Sequence, residues 1–127
     1  MNKLKVVQLL PELNIGGVER GTRDFSEVLS KQGHESIVIS NGGVFEKDIT
    51  NHGGRHIKIP VHKKSLFSLL LSKQLKLIYE EEKPDIVHVR SRMPAWINYY
   101  AFKKLTKKPI LISTFHGLYS TPIYSQI

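Results

Sequence analysis

The stretch LKVVQLLPELNIGGVERG, residues 4–21, decides how this chain begins to fold. Its first half is an apolar run typical of a buried strand. Its second half carries Gly16, Gly17 and Gly21 and leads into a segment with apolar residues at helical spacing. A glycine-rich turn at a helix N-terminus exposes unpaired N–H groups to which a phosphate can bind, although an ordinary strand-to-helix turn looks the same. The stretch predicts a strand, a candidate phosphate-binding turn and a helix.

Behind this stretch the chain keeps alternating between short apolar strands and amphipathic helices. Further strands are predicted at 35–40, 55–60, 85–90 and 109–114, and helices at 18–31, 45–51, 65–83 and 94–104. This alternation predicts a mostly parallel sheet covered on both faces, with ligands at the carboxyl ends of the strands. The 127 residues therefore form one Rossmann-like, three-layer α/β domain or part of one.

The spacing of apolar residues also predicts which helix faces are covered. In the first helix these residues are Val18, Thr22, Phe25, Val28 and Leu29. In the third helix they are Phe67, Leu70, Leu71, Leu75 and Ile78, widened by Leu66, Leu69 and Leu77. A crossover helix packed on the sheet accounts for so wide an apolar face. The alternative is an interfacial helix that binds anionic lipid with the help of the basic residues preceding it.

The composition limits the class of partner and compartment. Nineteen Lys and Arg against eleven Asp and Glu give a formal charge of +8. This charge favours an anionic partner such as a membrane surface, a phosphorylated glycan or a nucleic acid, and a solvated basic surface explains it equally well. The absence of cysteine excludes disulfides and cysteine-bound metal, so a cytoplasmic setting is expected.

Unusual residues follow four of the predicted strands, and parallel topology brings their carboxyl ends to one edge. They are the glycine turn, Asn41 to Gly43, His88 to Arg92 and Phe115 to Gly117. In the third of these regions, Ser91, Arg92 and Trp96 supply the hydroxyl, cation and ring that hold a sugar or a phosphorylated acceptor. The alternative is that Trp96 packs into the sheet and Arg92 is solvated. Lys63 and Lys64 follow another strand and are placed to face an anionic acceptor.

Other chemistries lack support in the sequence. The glycines at 16, 17 and 21 do not match the G-x-G-x-x-G fingerprint of nicotinamide enzymes. The six histidines show no metal-ligand spacing, so no metal is expected, and no Ser-His-Asp or paired-carboxylate site is predicted. His88 lies inside a predicted strand and is interpreted as a buried, hydrogen-bonded residue.

Three segments resemble the N-terminal domain of retaining glycosyltransferases of family 4: NIGGVER at 14–20, KPDIVHVRSRMPAW at 83–96 and STFHG at 113–117. The resemblance implies a lobe of the two-lobed GT-B fold, in which Gly16 and Gly17 approach the donor diphosphate across the cleft. It further implies that His116 lies near the donor sugar as the catalytic residue and that the loop from Ser91 contacts the acceptor. A lone histidine such as His116 is otherwise a structural hydrogen-bonding residue.

The resemblance also implies that residues 1–127 are only part of the acceptor-side lobe. The chain stops at Ile127, before that lobe is finished and before a C-terminal donor-binding lobe. The family's Glu-x7-Glu motif belongs to that second lobe. Glu19 and Glu27 have the same spacing here but fall in the first helix, so they are interpreted as surface carboxylates.

The predicted function is transfer of a sugar from a nucleotide-sugar to a glycan, lipopolysaccharide-like or lipid-linked acceptor in cell-envelope polysaccharide biosynthesis. We expect no cofactor, and a location in the cytoplasm at the inner face of the membrane. These residues alone are expected to be inactive. The alternative is a non-catalytic, basic Rossmann-like module that binds a polyanion or a protein partner. Nucleic-acid binding is the weaker form of that alternative, because the sequence contains no recognisable nucleic-acid-binding motif.

Overall fold

The computed structural model describes residues 2–62 and 68–114, without the side chains of residues 68 and 69. The elements are β1 (Lys5–Leu9), α1 (Gly17–Lys31), β2 (Glu35–Ser40), α2 (Glu46–Asn51), β3 (Arg55–Lys58), α3 (Ser68–Glu82), β4 (Ile86–Val89), α4 (Arg92–Lys103) and β5 (Ile110–Ser113). The predicted alternation of strands and helices is confirmed in type and order. The strands β3, β4 and β5 are each shorter than predicted by two residues.

The five strands form one parallel sheet in the order β3-β2-β1-β4-β5. The central strand β1 pairs on both sides, so that Val7 lies opposite Ile37 of β2 and Val87 of β4. Because every strand runs the same way, all the carboxyl ends lie at one edge of the sheet. The predicted Rossmann-like α/β fold is therefore confirmed.

Alternating side chains of the sheet build a core on each face. The first core lies under α3 and α4 and contains Val7, Leu9, Ile37, Ile39, Val87, Val89, Leu71, Leu75, Tyr79, Ile97, Ala101 and Phe102, among others. The second lies on the opposite face and contains Leu10, Leu13, Val38, Phe45 and Ile49, with Val18 of α1 packed against it. The sheet is the middle layer of three, as predicted.

The buried face of α1 differs from the predicted one. Thr22 and Leu29 are buried as predicted, whereas Phe25 is 39% exposed, Val28 is 51% exposed and Ser26 is buried instead. The sheet presents polar side chains to this helix, and Ser26 Oγ lies 2.6 Å from Ser36 Oγ of β2. Small polar residues that can hydrogen-bond to the sheet therefore turn inward, and larger apolar ones are displaced to the surface.

The apolar surface of α3 is likewise only partly covered. Leu71 and Leu75 are buried against the sheet and α4, as predicted, whereas Leu70 is 54% exposed and Leu77 is 65% exposed. The reason is geometric, since the sheet and α4 together contact only part of the circumference of the helix. Phe67 and Leu66 lie outside the described residues. Among the described residues, no helix has the length and apolar character needed to cross a membrane.

The last strand is also more exposed than its apolar sequence suggests. Ile110, Leu111 and Ile112 are 65%, 47% and 41% exposed. Within the described sheet β5 has a neighbour on one side only, β4. Apolar side chains at this edge of the described sheet stay in contact with solvent, so within residues 2–62 and 68–114 the predicted cover on both faces does not extend to β5.

Candidate functional site

The glycine turn lies at the carboxyl edge of the sheet, as predicted, and leads directly into α1. Gly16 occupies the N-cap position, and its carbonyl accepts the first helical hydrogen bond from the N–H of Arg20 at 3.0 Å. A Cβ atom added to Gly17 would meet no atom within 4 Å. The first turn of the helix is therefore open at Gly17, so an anion can approach the backbone there.

The Glu19 carboxylate lies next to this opening. A Cβ added to Gly16 would lie 2.6 Å from Glu19 Oε1, so the side chain folds back over the helix N-terminus. A carboxylate in the first turn interacts favourably with the positive end of the helix dipole. It also opposes any second anion at the same place. Glu19, interpreted from the sequence as a surface carboxylate, is partly buried beside the glycine turn.

The second strand-end turn, Asn41 to Gly43, packs against the first. Gly43 has φ +153°, and a Cβ there would lie 2.5 Å from the carbonyl carbon of Leu13 and 2.7 Å from the N atom of Asn14. Leu13 N–H donates to the Gly42 carbonyl at 3.0 Å, and Phe45 N–H donates to the Leu13 carbonyl at 3.0 Å. The two turns thus fix each other through backbone contacts that only glycine permits.

A Ser-His-Glu arrangement that the sequence did not predict lies beneath the second turn. Ser40 Oγ lies 2.8 Å from His56 Nε2, and His56 Nδ1 lies 3.3 Å from Glu46 Oε1. The order of groups matches that of a hydrolytic triad. However, Ser40 is fully buried and its Oγ already accepts from the Gly42 N–H at 2.9 Å, so no substrate reaches it. The arrangement holds the turn in place and does not catalyse.

A second unpredicted contact joins β1 to the end of β4. Gln8 is fully buried, and its Oε1 accepts from Arg90 Nε at 3.1 Å and from Arg90 Nη2 at 2.8 Å. Gln8 Nε2 donates to the carbonyl of Thr22 in α1 at 3.2 Å. Burial lowers the pKa of Arg90 below its ordinary value, although an arginine remains charged. The only available sequence signal was a glutamine inside an otherwise apolar strand.

A cavity of about 300 Å³ lies between the glycine turn and the end of β4. Its lining residues are Leu10, Pro11, Glu12, Val18, Glu19, Arg90 and Ser91. The fold thus brings together the first turn of α1 and the start of the predicted acceptor loop, which are far apart in the chain. This is the junction at which ligands bind in parallel α/β sheets.

The remaining predicted acceptor residues lie at the start of α4. Ser91 is its N-cap residue, and Arg92 is its first residue and is exposed. Trp96 is 60% exposed, so the alternative that it packs into the sheet is wrong. Its ring centroid lies 6.4 Å from that of Tyr99, which lies 5.3 Å from that of Tyr100. Three neighbouring rings therefore form an exposed aromatic row on α4.

Several predicted residues fall outside the part of the chain that the structure describes, namely Lys63, Lys64 and His116. His88 is partly buried, and its Nε2 lies 3.1 Å from Thr114 Oγ1, which agrees with its interpretation as a hydrogen-bonded strand residue. Within residues 2–62 and 68–114, no group of three or more His, Asp or Glu side chains is placed to hold a metal ion.

Comparison with known proteins identifies relatives of this domain. Residues 15–126 match the family described as Glycosyltransferase Family 4. The crystal structure of a glycosyltransferase from Rickettsia africae ESF-5 is similar over 98% of this chain, with a TM-score of 0.82 and 38% identity. The structure of CalG4, the calicheamicin glycosyltransferase, aligns over 99% of the chain with a TM-score of 0.60 and 13% identity, a likeness of fold alone. No curated protein sequence matches. The chain spans 32% and 34% of the length of these two solved chains.

Proposed function

The chain belongs to Glycosyltransferase Family 4, and from this premise we propose that it is the N-terminal, acceptor-side domain of a retaining, nucleotide-sugar-dependent enzyme of the GT-B architecture. A second, donor-binding domain would complete the active site. The observation that carries the proposal is the open glycine turn at Gly17, which is followed by Val18 and Glu19 in the lining of the same cavity as Arg90 and Ser91 at the end of β4. Family membership does not favour the alternative of a non-catalytic basic module.

The proposed role of the glycine turn is electrostatic. As the donor bond breaks, negative charge grows on the leaving diphosphate. Backbone N–H groups at Gly17, which has no side chain of its own, and the positive end of α1 would stabilise that charge. The Glu19 carboxylate beside Gly16 has to move aside for the diphosphate to approach. His116 is proposed, from the family resemblance, to support the donor sugar.

The proposed acceptor side is the exposed surface of α4 from Ser91 to Tyr100. The exposed ring of Trp96, followed by Tyr99 and Tyr100, offers a surface on which a sugar ring can stack. Ser91 and Arg92 begin the same helix and supply polar groups beside those rings. We propose a glycan or lipid-linked acceptor of cell-envelope polysaccharide biosynthesis, handled at the cytoplasmic face of the membrane. The charge of +8 supports such a location.

The test is nucleotide release by the protein of the complete reading frame, supplied with a panel of nucleotide-sugars and membrane-derived acceptors. Gly17→Ala should fold normally, because its Cβ has free space, yet lower kcat by about 100-fold by obstructing the diphosphate. Gly21→Ala is the matched control, since Gly21 lies inside α1 with equally free space. Release that no donor elicits, or that both glycine variants lower equally, would argue against the proposal.

A further inference from the structure

The buried amide of Gln8 needs an explanation, because it lies between two apolar core residues of β1. Its neighbours Val7 and Leu9 are buried in the core, and an apolar residue at position 8 would carry no desolvation cost. Instead, the Gln8 amide makes three hydrogen bonds, two of which are accepted from Arg90. A polar side chain at this position is explained by the orientation it imposes on the guanidinium.

Arg90 is itself distinguished by the lack of a carboxylate partner. Arg55 pairs with Glu82 at 2.6 Å and Arg23 with Asp24 at 3.0 Å. Among residues 2–62 and 68–114, no carboxylate oxygen lies within 4.0 Å of Arg90, whose charge is met only by the neutral amide of Gln8. A partly buried cation loses part of its hydration, and without a counter-ion no ion pair compensates for that loss. Such a group gains most from binding an oxyanion.

The surroundings of Arg90 fit a phosphate-sized ligand. Arg90 lines the cavity of about 300 Å³ together with Val18 and Glu19 from the first turn of α1. The positive end of the helix and the guanidinium therefore border the same space. Glu12 and Glu19 also line it, and both carboxylates oppose an anion. Glu12 accepts from Asn14 Nδ2 at 2.8 Å, and Glu19 is the one that folds over the N-terminus of α1.

We propose that Arg90 binds a phosphate-type oxyanion of a substrate in this cavity and that Gln8 is the positioning residue that holds its guanidinium. The inference rests on the proposed function, since a nucleotide-sugar and a phosphorylated acceptor both carry such a group. Guanidinium groups bind phosphate oxygens through two parallel N–H bonds, and Gln8 fixes the plane in which those bonds are made.

The experiment is a titration of the 127-residue chain with inorganic diphosphate, followed through the Nε–H resonance of Arg90. A saturable shift of that resonance is expected. Arg90→Gln should weaken binding by about tenfold or more, and Arg90→Lys should restore only part of it. Arg55→Gln is the matched control, because it removes one positive charge at the amino end of the sheet. Equal affinity of wild type and Arg90→Gln, or an equal loss in Arg55→Gln, would overturn the proposal.

The positioning role of Gln8 is tested separately, with the variant Gln8→Leu. Gln8→Leu keeps every charge in the chain, yet it should speed solvent exchange of the Arg90 Nε–H and weaken diphosphate binding about threefold to tenfold. A purely structural role for Gln8 predicts lower stability with unchanged affinity at temperatures where the variant is folded. That result would remove Gln8 from the proposal.

Two competition experiments identify which substrate supplies the phosphate group. Displacement of diphosphate by UDP or GDP assigns the site to the donor, and displacement by a sugar monophosphate alone assigns it to the acceptor. Failure to displace it with either class would contradict a substrate site. If Arg90 binds diphosphate but the complete protein transfers no sugar, the proposed function fails and the anion site stands. If the protein transfers sugar and Arg90→Gln changes neither diphosphate binding nor the transfer rate, the proposed function stands and the anion site at Arg90 fails.

Discussion

Ser40 Oγ and His56 Nε2 lie 2.8 Å apart and join β2 to β3 directly below the Asn41 to Gly43 turn. The His56 side chain is 5% exposed, and burial lowers its pKa below the ordinary value, with the nearby Glu46 carboxylate opposing that shift. Folding therefore favours the neutral imidazole over the charged form. This contact gives the domain a dependence on pH.

We expect the free energy of unfolding to fall as the pH drops below about 6.5, the ordinary pKa of histidine. The sign follows from the lowered pKa, because the unfolded chain takes up a proton at His56 that the folded chain resists. Above pH 6.5 this contribution is fully present. Urea unfolding between pH 8 and pH 5 measures it, and this interval lies above the range in which Glu27, Glu35 and Glu82 titrate.

His56→Gln should reduce the slope of stability against pH in that interval and lower stability at pH 8 by about 1–2 kcal/mol, through the lost buried hydrogen bond. His52→Gln is the control, since His52 is exposed on the neighbouring helix turn. An unchanged slope in the His56 variant would show that another group governs the acid sensitivity.

The Gly43 position should be much less tolerant than other positive-φ glycines. Gly43→Ala combines an unfavourable φ with a Cβ only 2.5 Å from the backbone of Leu13, so we expect a loss of about 3 kcal/mol or more. Gly33→Ala has φ +85° but free space around the Cβ, and should cost about 1 kcal/mol. Thermal unfolding of the two variants separates the steric clash of the added Cβ from the cost of a positive φ. Equal losses of stability in the two variants would contradict the contact between the turns.

The packing of α3 against α4 depends on a buried hydrogen bond from the Tyr79 hydroxyl to Asn98 Oδ1. Tyr79→Phe leaves the buried Asn98 amide without this donor and should cost about 1–3 kcal/mol. Adding Asn98→Leu removes the unpaired amide and should recover part of that loss. A double-mutant cycle by urea unfolding measures the coupling, and strictly additive effects would show that the bond contributes nothing.

The exposed strand β5 should promote association of the isolated chain. Leu111→Lys should raise the monomer fraction at a small loss of stability, because a lysine on an edge strand hinders pairing with another chain. Leu77→Lys on α3 is the control, since it removes a similarly exposed leucine away from the sheet edge. Light scattering after size exclusion distinguishes the two, and an equal effect of both variants would indicate a general apolar surface instead of strand pairing.

Glu19→Gln should tighten diphosphate binding by about threefold to tenfold, because the carboxylate that folds over Gly16 carries the same sign as the ligand. The same change should slightly destabilise α1 by removing an acidic residue from its first turn. Calorimetric titration at two salt concentrations checks the sign, since the gain should shrink as salt screens the repulsion. Weaker binding in the variant would instead make Glu19 part of the ligand site.

The order of elements was predictable because it depends on local periodicity. Apolar runs and helical spacing, punctuated by glycine and proline, determine strands and helices over a few residues, and alternation of the two requires a parallel sheet. The glycine turn and the Ser91 region could also be placed at one edge by topology alone. The buried face of α1 was predictable only in part: Thr22 and Leu29 are buried as predicted, but Ser26, which bonds Ser36 of the sheet, is buried in place of Phe25 and Val28.

The sequence by itself determined the fold class, the position of the glycine turn and the resemblance to one family, since each depends on motifs or periodicities that can be recognised within a short segment. Only the tertiary structure decided that Gln8 holds Arg90, 82 residues away, and that Ser40 bonds His56. Hydrogen bonds and burial depend on which side chains meet across the sheet, and that information is absent from any local pattern until strand order and register are known.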